Sequence, residues 1–372
     1  MALDADRYRL TEAEHQAIFE KRIRPKLFAD AKTQDRPVGV VFGGQPGAGK
    51  SAAVDAAVRE LQGRGGAAQI IGDDMRGFHP RYASLMEQDD KTAAFYTDRD
   101  TGRWVEKAIA HAKQHRLNIV IEGTMRDANK VVDTMQSLRS AGYEVDARAL
   151  AVNERLSWQG VLQRYEGQKA NHGRGRMTAP HSHQDAYNAM PATIERIERE
   201  KLADRVTVYR RGAEVIYANE LRDGEWQKRP GAREAVEAER ARPLTLQERR
   251  EYAEGFNRLA VMLAKPERRA TAADVIAVDE LRDQARRGLM AEVFRQVEPS
   301  AAVQQHPELA GAYGVMAAVA KKVEAEGLSQ AQSAAVLARA REDVAADIER
   351  GEDPSVQIRV ELARDRTRGV ER

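Results

Sequence analysis

No cysteine occurs in the 372 residues, which excludes disulfides, thiolate metal sites and a cysteine nucleophile. Aromatic residues are sparse at 5% and thin out further toward the C-terminus, where Ala, Glu and Arg dominate, so the architecture is expected to change along the chain. No apolar run approaches the roughly 18 residues that a membrane-spanning helix needs, and no membrane partner is expected. An excess of one charge is also lacking: Lys+Arg 60 stand against Asp+Glu 58, for a formal net charge of +2. Glu is interspersed with Arg through residues 233–251, so the basic stripe of a nucleic-acid binder is missing and no nucleic-acid partner is expected. The N-terminal MALDADRYRLTEAEHQ has acidic residues and no apolar signal core, which predicts an unexported, cytoplasmic chain.

What is present begins with GGQPGAGKS, residues 43–51, directly after the apolar run Val38–Phe42. Gly44, Gln45, Pro46, Gly47, Ala48, Gly49, Lys50 and Ser51 fit the G-x-x-x-x-G-K-[ST] phosphate loop in its required setting between a strand and an amphipathic helix. The glycines let backbone N–H groups converge on an anion, and the helix that starts near Lys50 adds the positive end of its dipole. Lys50 then serves the β- and γ-phosphates of ATP or GTP, and Ser51 is the expected Mg²⁺ ligand.

The patterning around this loop predicts an α/β fold. Thr11 and Glu14 have capping-box spacing for a leading helical segment, residues 1–37. Strands are expected at 38–43, 67–71, 117–123 and 145–152, with helices between them near 50–61, 102–115 and 127–141. LNIVIEG, residues 117–123, is nearly continuous in apolar residues, as a parallel strand buried on both faces should be. Such alternation gives a P-loop kinase-like, doubly wound parallel sheet whose ligands bind beyond the strands' C-terminal ends. Residues 205–209 and 214–218 read as a closing hairpin, and Pro230-Gly231 as the boundary, giving a kinase domain over 38–229 and a helical region over 230–372. That region suits a helical bundle, a partner-docking arm or partly disordered helix. A chain cut after Trp226 is expected to fold without it.

Three groups of residues could carry chemistry. Asp73 and Asp74 follow the strand IIG, where a carboxylate can take an acceptor's hydroxyl proton, ligate Mg²⁺ through water or cap a helix. Glu122 ends the next strand, and Gly123-Thr124-Met125-Arg126 turns after it, offering an acceptor for hydroxyls, a small donor and a guanidinium for an anionic group. No apolar run ends in the Asp of a motor-type ATPase after this strand, which argues for a kinase over a motor; the alternative is a nucleotide-binding switch whose helical region binds a partner, which would not need Asp73, Glu122 and Arg126. Arg164, and Arg174 or Arg176 in the glycine-rich GRGR loop, supply charge for a polyphosphate. His172, His181 and His183 crowd that loop without the spacing of a zinc site.

GQPGAGKS, IIGDDMRGFHPRY, NIVIEGTMR, QRYE and GRMTAPHSHQDAY, in this order across roughly residues 10–220, resemble the zeta toxin family of toxin–antitoxin kinases. The resemblance implies phosphorylation of a sugar-nucleotide hydroxyl, that of UDP-N-acetylglucosamine, at the expense of a nucleoside triphosphate; some relatives use other nucleotides, including the NAD ribose. It implies phosphate and metal roles for Lys50 and Ser51, and the general base at Asp73, six residues before His79-Pro80. It further implies an acceptor pocket lined by Glu106, Glu122, Thr124 and Arg126, and triphosphate contacts from Arg164 and Arg176. An antitoxin protein is the implied partner. Asp74, where Ser or Thr is common, and Met125, where a small residue is frequent, depart from the family pattern.

Overall fold

The computed structural model describes residues 4–353. The helical region expected over 230–372 lies partly outside the described residues. Contacts divide the chain into two compact units that meet in sequence between Arg242 and Pro243.

The first unit opens with α1 (Glu12–Ile18), where Thr11 and Glu14 form the expected capping box, then a π-helical turn over Phe19–Ile23 and α2 (Arg24–Leu27). β1 (Val38–Gly43) leads through the phosphate loop into α3 (Lys50–Glu60), and β2 (Ala68–Ile71) into α4 (Gly72–Met75) and α5 (Tyr82–Gln88). α6 (Ala93–His115) precedes β3 (Ile119–Glu122), and α7 (Ala128–Ser140) precedes β4 (Glu144–Ala151). α8 (Glu154–His172) and α9 (Pro180–Arg199) follow, then β5 (Arg205–Arg210), β6 (Val215–Arg222), β7 (Glu225–Trp226) and α10 (Ala232–Ala241). The sheet runs β2-β3-β1-β4-β5-β6-β7, parallel through β5 and antiparallel beyond. This is the expected doubly wound, parallel-dominated sheet.

Helices cover both faces of the sheet, which explains the apolar strands. Trp104, Met135, Leu138, Ile194 and Ile197 pack one face together with Phe19 and Ile23 of the leading segment. Val54, Ala57 and Leu61 pack Val40, Phe42 and Leu150 on the other. The leading segment is therefore part of the first unit's core. His15 stacks on Trp104 with ring centroids 4.8 Å apart, and Trp104 Nε1 donates to the His15 carbonyl at 3.1 Å.

The expected boundary at Pro230 needs correction, because α10 belongs to the first unit. Ala232 and Val236 are fully buried in the main core, and the Glu198 carboxylate accepts the N–H groups of Gly231 (3.0 Å) and Ala232 (2.8 Å) at the start of the helix. A chain cut after Trp226 loses the Val236 contact and the two backbone N–H donors to Glu198, which then keeps only Tyr217 and Asn219, costs that together come to about 3 kcal/mol. It should melt well below the full chain, whereas a chain cut after Arg242 should hold the first unit's melting temperature. Equal thermal denaturation of the two fragments would contradict this role of α10.

The second unit is helical: α11 (Leu246–Leu263), α12 (Ala272–Gln296), α13 (Pro299–Gln305), α14 (Ala310–Ala325) and α15 (Gln330–Arg350). Thr245 with Glu248, Thr271 with Asp274 and Ser329 with Gln332 cap three of these helices reciprocally. Phe294, Leu309, Val344 and Ile348 form its core, so the small aliphatic composition is that of a packed bundle.

Candidate active site

The phosphate loop is shaped by glycines at Gly47 (φ 76°) and Gly49 (φ 89°), a region in which side chains are strained. A Cβ on Gly47 would stand 1.9 Å from the Ser157 carbonyl oxygen, so the loop lies against the backbone of α8 and only glycine fits. Lys50, 7% exposed, donates from Nζ to the carbonyls of Gly44 (2.8 Å) and Gln45 (3.3 Å). It also lies 3.6 Å from Glu122 Oε1. Burial pulls the Lys50 ammonium below its ordinary range, against the opposing pull of Glu122 and Asp73.

Strand register explains why distant acids meet the loop. Phe42, next to last in β1, pairs with Glu122 of β3, and Glu122 pairs in turn with Ile71 of β2. Glu122 is therefore level with the strand ends from which the phosphate loop and Asp73 depart. Asp73 accepts from Arg76 Nε at 3.0 Å and is ion-paired with Arg176. Burial would raise its carboxyl, but Arg176, Arg76 and Arg164 outweigh that and hold it at about 2. Asp74 points away: it is exposed and lines no part of the cavity, so of the two acids only Asp73 faces the phosphate loop.

Arg76, which the sequence reading passed over, is the anchor of Asp73. Buried itself, it donates to the Ala94 carbonyl (2.7 Å), Thr97 Oγ1 (3.1 Å) and Asp98 (2.6 Å) of α6. Its signal was the spacing of three residues from Asp73 on a helical turn.

These groups line a cavity of about 530 Å³ with Pro46, Thr124, Arg126 and Arg164. α6 lines it through Phe95, Thr101 and Val105, and so does the segment from Arg176 to Ser182. That segment is shorter than the sequence suggested, because α8 runs to His172 and α9 starts with Pro180 at its first position. Arg164 donates to Thr178 Oγ1 at 2.7 Å, and its Nε is buried without an acceptor. Burial and the neighbouring Arg176 lower its guanidinium to about 10.

Two expected site residues are placed otherwise. Glu106 is exposed on α6 and does not line the cavity, since one residue along a helix turns the side chain by about 100° from Val105. The Gln45 side chain is wholly buried behind the loop, donating to the Val152 carbonyl (2.8 Å) and Ser157 Oγ (3.1 Å), so only its backbone faces the phosphate side. Ser51 is exposed in the first turn of α3. Met125 adopts φ 52° and is buried over Gly43, where a Cβ would stand 2.2 Å from its sulfur. Of the three histidines, His181 lines the cavity, His183 bonds Ser157 Oγ at 2.9 Å behind it, and His172 is exposed.

Residues 25–222 match the zeta toxin family. Toxin PezT of Streptococcus pneumoniae serotype 4 (strain ATCC BAA-334 / TIGR4) is 29% identical over 231 residues, which is 59% of this chain and 90% of that protein. Toxin zeta of Enterococcus hirae is 28% identical over 207 residues, 55% of this chain and 72% of that protein. A solved structure from the PezAT chromosomal toxin–antitoxin system of Streptococcus pneumoniae has the same fold, with a TM-score of 0.59 at 24% identity, covering 69% of this chain and 100% of that one. The family match spans more than half of the sequence and contains every charged residue that lines the cavity, and on that basis the chain belongs to the zeta toxin family.

Proposed function

We propose that this kinase-like toxin transfers the γ-phosphoryl group of ATP or GTP to a hydroxyl of a sugar nucleotide, UDP-N-acetylglucosamine, with Mg²⁺, and that an antitoxin protein restrains it. The observation that carries the reading is the convergence of Lys50, Asp73, Glu122, Arg164 and Arg176 on one cavity at the strands' C-terminal ends. The partner follows from the relative whose structure comes from a toxin–antitoxin system.

In this reading the triphosphate lies along the phosphate loop, held by Lys50 and by the N–H groups that open α3. Mg²⁺ accepts hard oxygens and usually keeps several waters beside one or two carboxylates and substrate phosphates. Ser51 Oγ, Asp73 and Glu122 are donors of that kind, and among the described residues no group of three or more acids and histidines forms a closed cage. Ser51 would hold the ion with one of the carboxylates, and the ion would offset phosphate charge.

Asp73 between two guanidiniums is a weak base. Arg176 is assigned to change partners as nucleotide enters: the polyphosphate draws its guanidinium from Asp73, and Arg76 keeps the carboxylate aimed. The acceptor hydroxyl then attacks the γ-phosphorus in line, its proton passes to Asp73, and the bond from phosphorus to the β-phosphate bridging oxygen breaks. Arg164, whose Nε lacks an acceptor, and Arg176 neutralise the charge on the transferring oxygens. Exposed Phe95 on the α6 wall gives the acceptor's base an apolar face, and Arg126 an anion contact.

Incubation with labelled ATP, Mg²⁺ and a panel of UDP-sugars, NAD and nucleosides should label UDP-N-acetylglucosamine by one phosphate, read by mass. A label confined to NAD or a nucleoside would overturn the acceptor, and no label on any of them would overturn the kinase reading. Arg126→Ala should raise the acceptor KM about tenfold by removing a charged hydrogen bond, with the ATP KM unchanged. Glu122→Gln is the less selective variant, because Glu122 also lies beside Lys50. An Arg126→Ala enzyme with altered ATP KM and normal acceptor KM would place the pocket elsewhere.

A further inference from the structure

We infer that Arg240, in a helix outside the residues matched to the family, is a positioning residue of the phosphate loop: it braces Gln45 from behind and thereby sets nucleotide affinity. The inference rests on the reading of that loop as the nucleotide site.

Arg240 is 6% exposed, and among the described residues no carboxylate lies within ion-pair distance of it. Burying an unpaired guanidinium is costly, and Nε has no acceptor at all. Burial pulls the group down to about 10, which still leaves it charged at neutral pH. Its other nitrogens are used: Nη2 donates to Gln45 Oε1 at 3.0 Å, and Nη1 to the Tyr187 carbonyl at 2.6 Å, with the guanidinium 4.0 Å above the Tyr187 ring.

The Tyr187 carbonyl explains half of this arrangement. Pro191, inside α9, has no N–H, so the carbonyl four residues earlier loses its helical donor, and Arg240 replaces it. The other half is unexplained by helix repair. Gln45 carries the carbonyl that, with that of Gly44, holds Lys50 Nζ. Its amide is fixed on three sides, by Val152, by Ser157 with His183 behind it, and by Arg240. The Arg240 backbone carbonyl is itself tied to Asn153, the cap of α8. A positive charge with no carboxylate within ion-pair distance among the described residues, with Glu237 and Glu154 acting only from farther off, and bonded to the loop that receives a polyphosphate, favours the anion by its field and by holding the loop's shape.

The test separates loop positioning from helix repair. In Pro191→Ala the new residue restores an N–H for the Tyr187 carbonyl, so Arg240 is no longer needed there. Calorimetric ATP affinity and melting temperature are measured for wild type, Arg240→Met, Pro191→Ala and the double variant. Arg240→Met should weaken ATP binding about tenfold, as loss of a charged hydrogen bond does, and lower the melting temperature. In the Pro191→Ala background the melting temperature should recover while the ATP loss persists, and adenosine binding should change less than ATP binding. Recovery of both together, or unchanged ATP affinity in Arg240→Met, overturns the inference. If Arg240→Met does not fold, Arg240→Lys, which can reach only one of the two acceptors, is read against the double variant by the same criteria. A wild-type chain that binds no ATP would instead overturn the nucleotide reading on which the inference rests.

Discussion

An Asp73→Asn enzyme is expected to bind ATP and acceptor and to turn over about a hundredfold or more slowly, while Asp74→Asn stays within about threefold of wild type. The amide keeps the size and one lone-pair oxygen, so Arg76 can still hold it, but it cannot receive the hydroxyl proton. Asp74, exposed and outside the cavity, has neither the aim nor the partners for that work. A second readout concerns stability. The folded chain holds Asp73 at about 2, below the roughly 3.9 of an unperturbed Asp, so its ionised form favours the folded state above pH ~4. That contribution fades as pH falls through about 2. The variant should therefore melt below wild type at pH 7, with the gap closing in acid. Equal kcat for wild type and Asp73→Asn under saturating ATP and Mg²⁺ would remove the base and leave the kinase reading without its central group.

The parts of this site that were legible in the sequence are those set by local geometry. The phosphate loop needs glycine at Gly47 and Gly49 whatever surrounds it, and Asp73 and Glu122 follow apolar strands whose ends must lie together once the sheet is parallel. The helix cap at Thr11 was equally local. What escaped depends on contacts across the chain. Arg240 meets Gln45 from 195 residues away, and nothing in the surroundings of either residue announces the pairing. The glycine and histidine content after Asn171 suggested an open loop, whereas α8 continues to His172 before Gly173 takes the left-handed cap. Glu106 was placed by resemblance alone, and helix phase turns it to solvent. Pro230-Gly231 looked like a boundary because such a pair ends an element, yet here it precedes a helix whose first N–H groups Glu198 caps.

Lys50→Ala is expected to lower kcat by about 10²- to 10³-fold, the usual cost of removing a preorganised donor to developing phosphoryl charge. ATP affinity should fall less than kcat, because the loop's N–H groups and the arginines still bind the ground-state triphosphate while the transition state loses its lysine. The variant also changes the free enzyme. It leaves the Gly44 and Gln45 carbonyls without their common donor and Glu122 without its cation, so some destabilisation is expected and circular dichroism must show a folded chain. Lys50→Met fills the volume without the charge and separates packing from electrostatics: it should restore the melting temperature more than the rate. A Lys50→Ala enzyme that is folded and keeps both kcat and ATP KM within about threefold of wild type is incompatible with a phosphate-binding role for this loop. A folded Lys50→Ala chain with normal kcat and a raised ATP KM would mean that Lys50 binds ground state and transition state alike, and that Arg164 and Arg176 alone answer the charge of transfer.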